Sequence, residues 1–179
     1  FSKDDLRGFM TRHYGAGQMI VVAAGAVEHE DFTRRIEDRL GTLAKAQDAT
    51  RVRPVWQGDR RVEERDLEQA HVVVGLPSVG ARDHRRYAMM VLSTLFGGGM
   101  SSRLFQEVRE KRGLCYSIFS FASMYSDSGH FGIYAGTSAS QVNEMLTVAA
   151  QQLADLAGRV GAEELHRAKA QLRASLVMA

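Results

Sequence analysis

The stretch from residue 96 to residue 117 constrains the fold of this chain more than any other part of the sequence. It reads Phe-Gly-Gly-Gly-Met-Ser-Ser-Arg-Leu-Phe-Gln-Glu-Val-Arg-Glu-Lys-Arg-Gly-Leu-Cys-Tyr-Ser. Three consecutive glycines, residues 97–99, favour a loop whose backbone angles are closed to other residues. Leu104 and Val108 then lie on one face of a short helix. The stretch therefore predicts a glycine loop that leads into a helix.

Both ends of this helix carry signals of their own. Ser101 or Ser102 can accept a hydrogen bond from a free N–H of the first turn, so either can serve as the N-cap. Gly113 stands where a left-handed residue commonly ends a helix, and Tyr116 then begins an extended segment. We expect the long cation of Arg109, on the last turns, and the phenol of Tyr116 to converge on one point.

Composition and charge exclude several classes of protein. The chain has 179 residues, 45% of them hydrophobic and 25% charged, as ordinary globular proteins have. A net charge of +2 gives no reason to expect nucleic-acid binding, which needs a clustered basic face. No apolar run approaches the roughly 20 residues that span a bilayer, so we expect no membrane association. The single cysteine, Cys115, suits a reducing compartment, and we expect a bacterial cytoplasm.

The first part of the chain has the pattern of an α-β-α unit. Residues 2–13 predict a helix that Ser2 caps with Asp5, and the apolar run 18–24 predicts a buried strand. A second helix, with apolar residues spaced by four, is predicted at 28–40. Residues 42–59 show no periodicity, and we interpret them as a linker.

The remaining residues, 60–179, mix strands and helices without regular βαβ alternation. This mixture predicts an α+β fold with a largely antiparallel sheet packed with helices. The predicted strands are 60–65, 69–76 and a hairpin of 116–125 with 129–135. A helix is predicted at 82–96, with Tyr87 facing inward. Two long helices are predicted after Ser138 and after Gly161, and a Ser138–Gln141 capping box begins the first of them.

The segment from the three glycines through Tyr116 resembles the second-domain motif of the pitrilysin-type (M16) zinc peptidases, which include insulinase and mitochondrial processing peptidase. Within Arg-Glu-Lys-Arg-Gly-Leu-Cys-Tyr, Arg109 and Tyr116 have the seven-residue spacing of a pair in the non-zinc half of that family. The closest resemblance is to the processing-peptidase branch. His13-Tyr14 and Ala24-Gly25 match the unit that closes a family domain.

The resemblance implies a LuxS/M16-like metalloprotease half-domain. Residues 1–41 would be the closing α-β-α unit of the first domain, residues 42–59 the linker, and residues 60–179 a second, non-zinc domain truncated at its C-terminus. Both ends of the chain are expected to be cut. We also expect strand 18–24 to join the sheet of residues 60–179, because an isolated α-β-α unit cannot bury that strand.

The zinc signature of the family, His-x-x-Glu-His on a helix, is missing from this sequence. None of the six histidines begins it, and no two have the spacing of ligands on one helical face. The resemblance thus implies zinc in the full-length protein, upstream of Phe1. We expect no metal site in this chain, and we expect the chain alone to be inactive.

The resemblance implies that Arg109 and Tyr116 donate hydrogen bonds to a backbone carbonyl of the substrate. On pattern alone, a solvated arginine and a core tyrosine are the commoner interpretation. Gly97, Gly98 and Gly99 would form a loop contacting substrate, or simply a tight turn. The implied partners are a peptide or unfolded protein and a zinc domain in cis or in a partner subunit. The alternative is a non-catalytic partner or core subunit of the same fold.

Other chemistry-bearing residues near the motif have ordinary interpretations. Cys115 is interpreted as a small buried apolar side chain, because the sequence supplies no paired histidine. Arg103, Lys111 and Arg112 are interpreted as surface charges.

Overall fold

The structure is a computed structural model that describes residues 1–45, 52 and 54–178. The chain divides into two compact units, Phe1–Val52 and Arg53–Ala179. Within the predicted linker 42–59, residues 46–51 and 53 lie outside the described residues, and residues 54–59 have no regular structure. No described helix is long and apolar enough to cross a membrane.

The first unit contains two helices, α1 (Lys3–His13) and α2 (His29–Leu40). The predicted capping box is confirmed: the Ser2 hydroxyl accepts from the backbone N–H of Asp5 at 3.2 Å, and the Asp5 carboxylate accepts from the Ser2 N–H at 2.7 Å. Both predicted helices are therefore present, because their caps and apolar spacing are local features of the sequence.

The strand predicted at 18–24 is wrong. These residues form no strand, and Ile20 and Val22 are about as exposed as free side chains, at 90% and 81%. Within one copy of the chain, the expected addition of this segment to the second unit's sheet is wrong as well, since that sheet draws its strands from residues 70–137. A run of β-branched residues becomes a strand only where a neighbouring backbone accepts its hydrogen bonds.

The second unit is built on an antiparallel sheet of three strands, β1 (Ala70–Ser78), β2 (Ser117–Met124) and β3 (Gly129–Thr137), in the order β1-β3-β2. The hairpin β2–β3 confirms the sequence prediction. Together with the helices, the sheet confirms an α+β fold.

Two details of the strand prediction are wrong. Residues 60–65 form no strand, so β1 is an edge of the sheet. The second predicted strand, 69–76, extends further than expected, because Pro77 continues β1 opposite His130. Proline is tolerated on an edge strand because no further strand needs its missing N–H.

The helices of the second unit are α3 (Arg86–Gly97), α4 (Val142–Gly158) and α5 (Ala162–Met178). The helix predicted at 82–96 starts later, because Asp83 forms a turn in which its carboxylate accepts from the N–H of Arg85 at 2.8 Å. The prediction that the Tyr87 side chain faces inward is wrong, since Tyr87 is 60% exposed. The Ser138–Gln141 capping box is also wrong, since the Ser138 hydroxyl bonds the Gln141 side chain instead of a backbone N–H.

Alternate residues of the strands point to an inner face that packs on the helices. The largest side chains sealed in this core, all below 2% exposed, are Phe96, Leu104, Met145, Val108 and Thr137. Val72 and Val74 of β1 pack against the same cluster from its margin. The core thus anchors α3 and the helical segment containing Val108 against the sheet.

The outer face of the sheet carries aromatic rings laid over glycines. The ring of Phe121 covers Gly132, where a Cβ would lie 2.2 Å from the ring. The indole of Trp56 covers Gly75, the cross-strand partner of Gly132. Phe119 and Tyr134 continue this surface, with ring centroids 4.9 Å apart. Because Gly132 and Gly75 have no side chain, the two rings can pack closely against the sheet.

Candidate functional site

The helical segment after the glycine loop is wound as a π-helix over Phe105–Glu110. The backbone N–H of Lys111 donates to the Gln106 carbonyl at 3.0 Å, a bond between residues five apart. Leu104 and Val108 are 0% exposed and hold the segment on the core. Short π-helical turns are rare and occur frequently at functional sites.

The start and end of this segment differ in how well the sequence predicts them. Gly113 has a φ of +62°, which confirms the left-handed glycine at the helix end. The helix begins at Arg103, and the Ser102 carbonyl accepts from the Gln106 N–H at 3.0 Å, so Ser102 stands at the predicted N-cap position, but the expected side-chain cap bond does not form. The Ser102 hydroxyl is buried without a hydrogen-bond partner among the described residues.

Arg109 is held by three neighbours. Its Nε donates to the backbone carbonyl of Tyr116 at 2.9 Å, and its Nη1 lies 3.3 Å from a carboxylate oxygen of Glu110. Its Cζ lies 4.6 Å from the centre of the Phe105 ring. The Nη2 group has no partner among the described residues, and the side chain is 39% exposed. Arg109 therefore keeps one donor group available for a ligand.

Tyr116 lies immediately before β2, and its backbone N–H donates to Gly136 at 2.9 Å. Its side chain is 74% exposed, and its hydroxyl has no partner within the described part of the chain. The bond from Arg109 to the Tyr116 carbonyl connects the two residues directly. Both side chains are therefore accessible to solvent, and the Arg109 guanidinium lies against the backbone of Tyr116.

The three glycines of the loop differ in their surroundings. None of residues 97–99 has a positive φ, so the backbone angles that three glycines allow are not used here. Gly97 is buried, and a Cβ there would lie 2.3 Å from the Ser120 nitrogen. Gly98 is exposed and Gly99 is half-buried. Gly97 thus serves the packing of α3 on β2, and Gly98 and Gly99 are the glycines that solvent reaches.

Sequence reasoning misses two residues that support the site. Gln171 of α5 donates from its amide to the Gly98 carbonyl at 2.8 Å, and it is 73 residues away, so no local pattern could have found it. The Phe105 ring beneath Arg109 leaves a local signal, since residues four apart are neighbours on a helix.

Two groups of ion pairs lie near the site: one joins Arg103 to α5, and the other lies on the π-helix and the residues that follow it. Arg103, expected on the surface, is largely buried and donates to Glu164 at 3.0 Å and 2.5 Å. This bond lowers the pKa of the Glu164 carboxyl. Lys111 and Arg112 are exposed as expected and lower the pKa of Glu107 by hydrogen bonding.

Cys115 is 8% exposed, as expected for a small buried side chain. Burial raises the pKa of the Cys115 thiol, and the charge of Arg109 offsets part of that increase. A thiol with a raised pKa is a weak nucleophile at neutral pH, so the site is not built on cysteine chemistry.

The described residues contain an apolar cavity of about 330 Å³ between β1, β3 and α4. Its lining is aliphatic: Val72, Val74, Leu76, Ile133, Ala135, Met145, Leu146, Ala149, Ala150 and Leu153. No titratable side chain borders it, so it offers no group for catalysis.

Comparison with known protein families shows to which family the chain belongs. A model described as the peptidase M16 inactive domain matches residues 1–172. The chain belongs to this family. Its M16 relatives include an uncharacterized zinc protease of Streptomyces coelicolor, 43% identical over 98% of the chain and 40% of the relative. One from Bacillus subtilis is 33% identical over 99% of the chain and 44% of the relative. The chain thus spans less than half the length of these relatives.

Solved structures have the same fold as this M16 chain. A peptidase M16 inactive domain from Pseudomonas fluorescens superposes with a TM-score of 0.75 at 22% identity, covering 97% of this chain and 43% of that one. A chain of complex III2 from Candida albicans superposes with a TM-score of 0.79 at 19% identity, covering 99% and 45%. At sequence identities of 19–22%, this similarity shows a shared fold and carries no statement about function.

Zinc occurs in the names of the M16 relatives, and a zinc site in this chain would need a cluster of ligand side chains. Across residues 1–45, 52 and 54–178, no three His, Cys, Asp or Glu side chains are grouped closely enough to hold a metal ion. Zinc needs three or four such ligands. The described residues therefore do not fit the metal.

Proposed function

We propose that this chain is the non-zinc part of an M16 zinc metalloendopeptidase and binds the backbone of a peptide or unfolded protein substrate. The observation that carries the proposal is the pairing of Arg109 and Tyr116, whose side chains present free donors while a hydrogen bond joins them at the Tyr116 carbonyl. In this proposal residues 1–41 close a first domain and residues 60–179 form a second, joined by the linker 42–59.

The donors of Arg109 and Tyr116 would bind a backbone carbonyl next to the cleaved bond. A backbone carbonyl is present in every residue, so such contacts orient a peptide without selecting its sequence. Donors aimed at an oxygen that gains negative charge contribute most to rate, about 3 kcal/mol each. The metal would reside in the zinc domain, in cis or in a partner subunit. The single cysteine supports a bacterial cytoplasmic location.

The glycine loop would contact the substrate through Gly98 and Gly99. Both are accessible, and the bond from Gln171 holds the Gly98 carbonyl in place. Gly97 is buried and would act by bringing α3 against the sheet.

The test uses the full-length protein and measures peptide cleavage and zinc content. Arg109→Ala and Tyr116→Phe should each lower kcat/KM about a hundred- to thousandfold, with zinc content unchanged. Arg112→Ala and Tyr125→Phe are matched controls, since both side chains are exposed and neither belongs to the proposed pair. Wild-type turnover in either test variant would refute the proposal.

The same experiment separates the alternative function. If the full-length protein lacks His-x-x-Glu-His and cleaves no peptide even when a zinc-bearing partner subunit is supplied, the chain belongs to a non-catalytic partner or core subunit. The fold of the complex III2 chain shows only that this architecture occurs in a large assembly.

A further inference from the structure

We propose that Phe105 is a positioning residue for Arg109: its ring orients the guanidinium so that the free Nη2 group faces the substrate. This inference rests on the proposed function and adds a residue to it. The two observations behind it are the 4.6 Å contact of Arg109 Cζ with the ring centre and the free Nη2 group.

Core packing does not account for the position of the Phe105 ring. Phe105 is half-buried, and it belongs neither to the described core cluster nor to the apolar side chains packed against it. Its neighbours Leu104 and Val108 already anchor the segment at 0% exposure. The main contact that the structure shows for the ring is therefore with the Arg109 guanidinium, one helical turn further along.

Two contacts together determine the orientation of the guanidinium. The bond from Nε to the Tyr116 carbonyl fixes one edge of the planar group but allows rotation about that edge. A ring beneath the plane restricts this rotation, because a cation over an aromatic face is attracted to it. A long arginine side chain otherwise retains substantial rotamer entropy that binding would have to remove. Phe105 therefore reduces the cost of placing Nη2 on a substrate carbonyl.

The first test is a double-mutant cycle in the full-length protein with peptide cleavage as the readout. Phe105→Leu keeps an apolar side chain and removes the ring, and should lower kcat/KM about two- to thirtyfold. In the Arg109→Ala background the same change should have no effect. Phe105→Tyr restores a ring and should restore the rate. An equal loss with and without Arg109 would show that Phe105 acts structurally and would overturn the inference.

Tyr87→Leu is the matched control. Arg86 lies over the Tyr87 ring at the same 4.6 Å, at the exposed start of α3. Removing this ring takes away an equivalent contact outside the proposed site. The control should leave kcat/KM unchanged in both backgrounds.

A second measurement does not depend on catalysis. The Nε–H of Arg109 is hydrogen-bonded, so its exchange with solvent can be followed by ¹⁵N NMR in the full-length protein. Phe105→Leu should accelerate this exchange severalfold, and Phe105→Tyr should not. Unchanged exchange would overturn the inference by itself. Wild-type activity in Arg109→Ala and Tyr116→Phe would instead refute the proposed function, whatever the exchange result.

Discussion

Replacing Gly97 by alanine puts a methyl group where α3 contacts β2. An ideal Cβ there lies 2.3 Å from the backbone nitrogen of Ser120 and 2.9 Å from the carbonyl carbon of Phe119. Ordinary contacts begin at 3.4 Å, so the end of α3 must retreat by about 3.4 − 2.3 = 1.1 Å. Both atoms are backbone atoms of the sheet, and no side-chain rotation can relieve the clash.

The expected loss of stability has two parts. Overpacking a well-packed contact costs about 1–3 kcal/mol. The retreat also stretches the bond from the Ser120 hydroxyl to the Ser93 carbonyl, now 2.8 Å, which is worth about 1 kcal/mol. Together, Gly97→Ala should lower the free energy of unfolding of the second unit by about 2–4 kcal/mol.

The assay is urea unfolding followed by the fluorescence of Trp56, the single tryptophan of the chain. Trp56 packs over Gly75 and therefore reports on the sheet of the second unit. With a slope near 2 kcal/mol per molar urea, the midpoint should fall by about 1–2 M. Gly99→Ala is the control: its Cβ would meet only the movable end of Gln171, at 3.0 Å, so a shift below about 0.5 M is expected.

Two results would refute this reasoning. A Gly97→Ala midpoint within error of the wild type would show that α3 does not press on β2 at this point. Equal shifts for Gly97→Ala and Gly99→Ala would show that the loop needs glycine for its backbone freedom rather than for packing.

Two further predictions concern buried polar groups. Glu164→Ala should lower stability at pH 7 by about 1–3 kcal/mol, because Arg103 loses its partner and the Gly161 N–H, now 2.6 Å from the carboxylate, loses its cap. The folded-state pKa of Glu164 is lowered, so its contribution is present above its ordinary pKa of 4.5 and lost as pH falls through the folded value. Urea midpoints of the variant and wild type should therefore converge in acid, and a constant difference down to pH 2 would contradict this. Ser102→Ala should leave stability unchanged or raise it, as thermal unfolding can show, since its buried hydroxyl has no partner among the described residues. A loss above about 1 kcal/mol would reveal a hydrogen bond to this hydroxyl.

Features with a short-range cause are predictable from this sequence. The Ser2–Asp5 capping box and the left-handed Gly113 depend on residues within one turn, and both are present. The hairpin β2–β3 is equally local, since its strands flank a turn closed by the bond from the Tyr125 N–H to the Ser128 carbonyl at 2.8 Å.

Features that depend on a partner far away in the sequence cannot be predicted from local sequence patterns. Residues 18–24 have strand composition and residues 60–65 are likewise predicted as a strand, yet neither segment forms one, because a strand requires a neighbouring backbone that local sequence does not reveal. The expected serine cap fails for a related reason. Ser102 stands at the N-cap position, but tertiary packing buries its hydroxyl, which forms no cap bond among the described residues.

The seven-residue spacing of Arg109 and Tyr116 is read directly from the sequence, and so is the glycine between them, whose left-handed φ of +62° is a local feature. The tertiary structure decided the contacts that support the glycine loop and the start of the following helix. Arg103 meets Glu164 across 61 residues, and Gln171 reaches the glycine loop across 73. Such contacts follow from the packing of α5 on α3, which no periodicity in either helix encodes, since an apolar face specifies that a helix is buried but not which helix covers it.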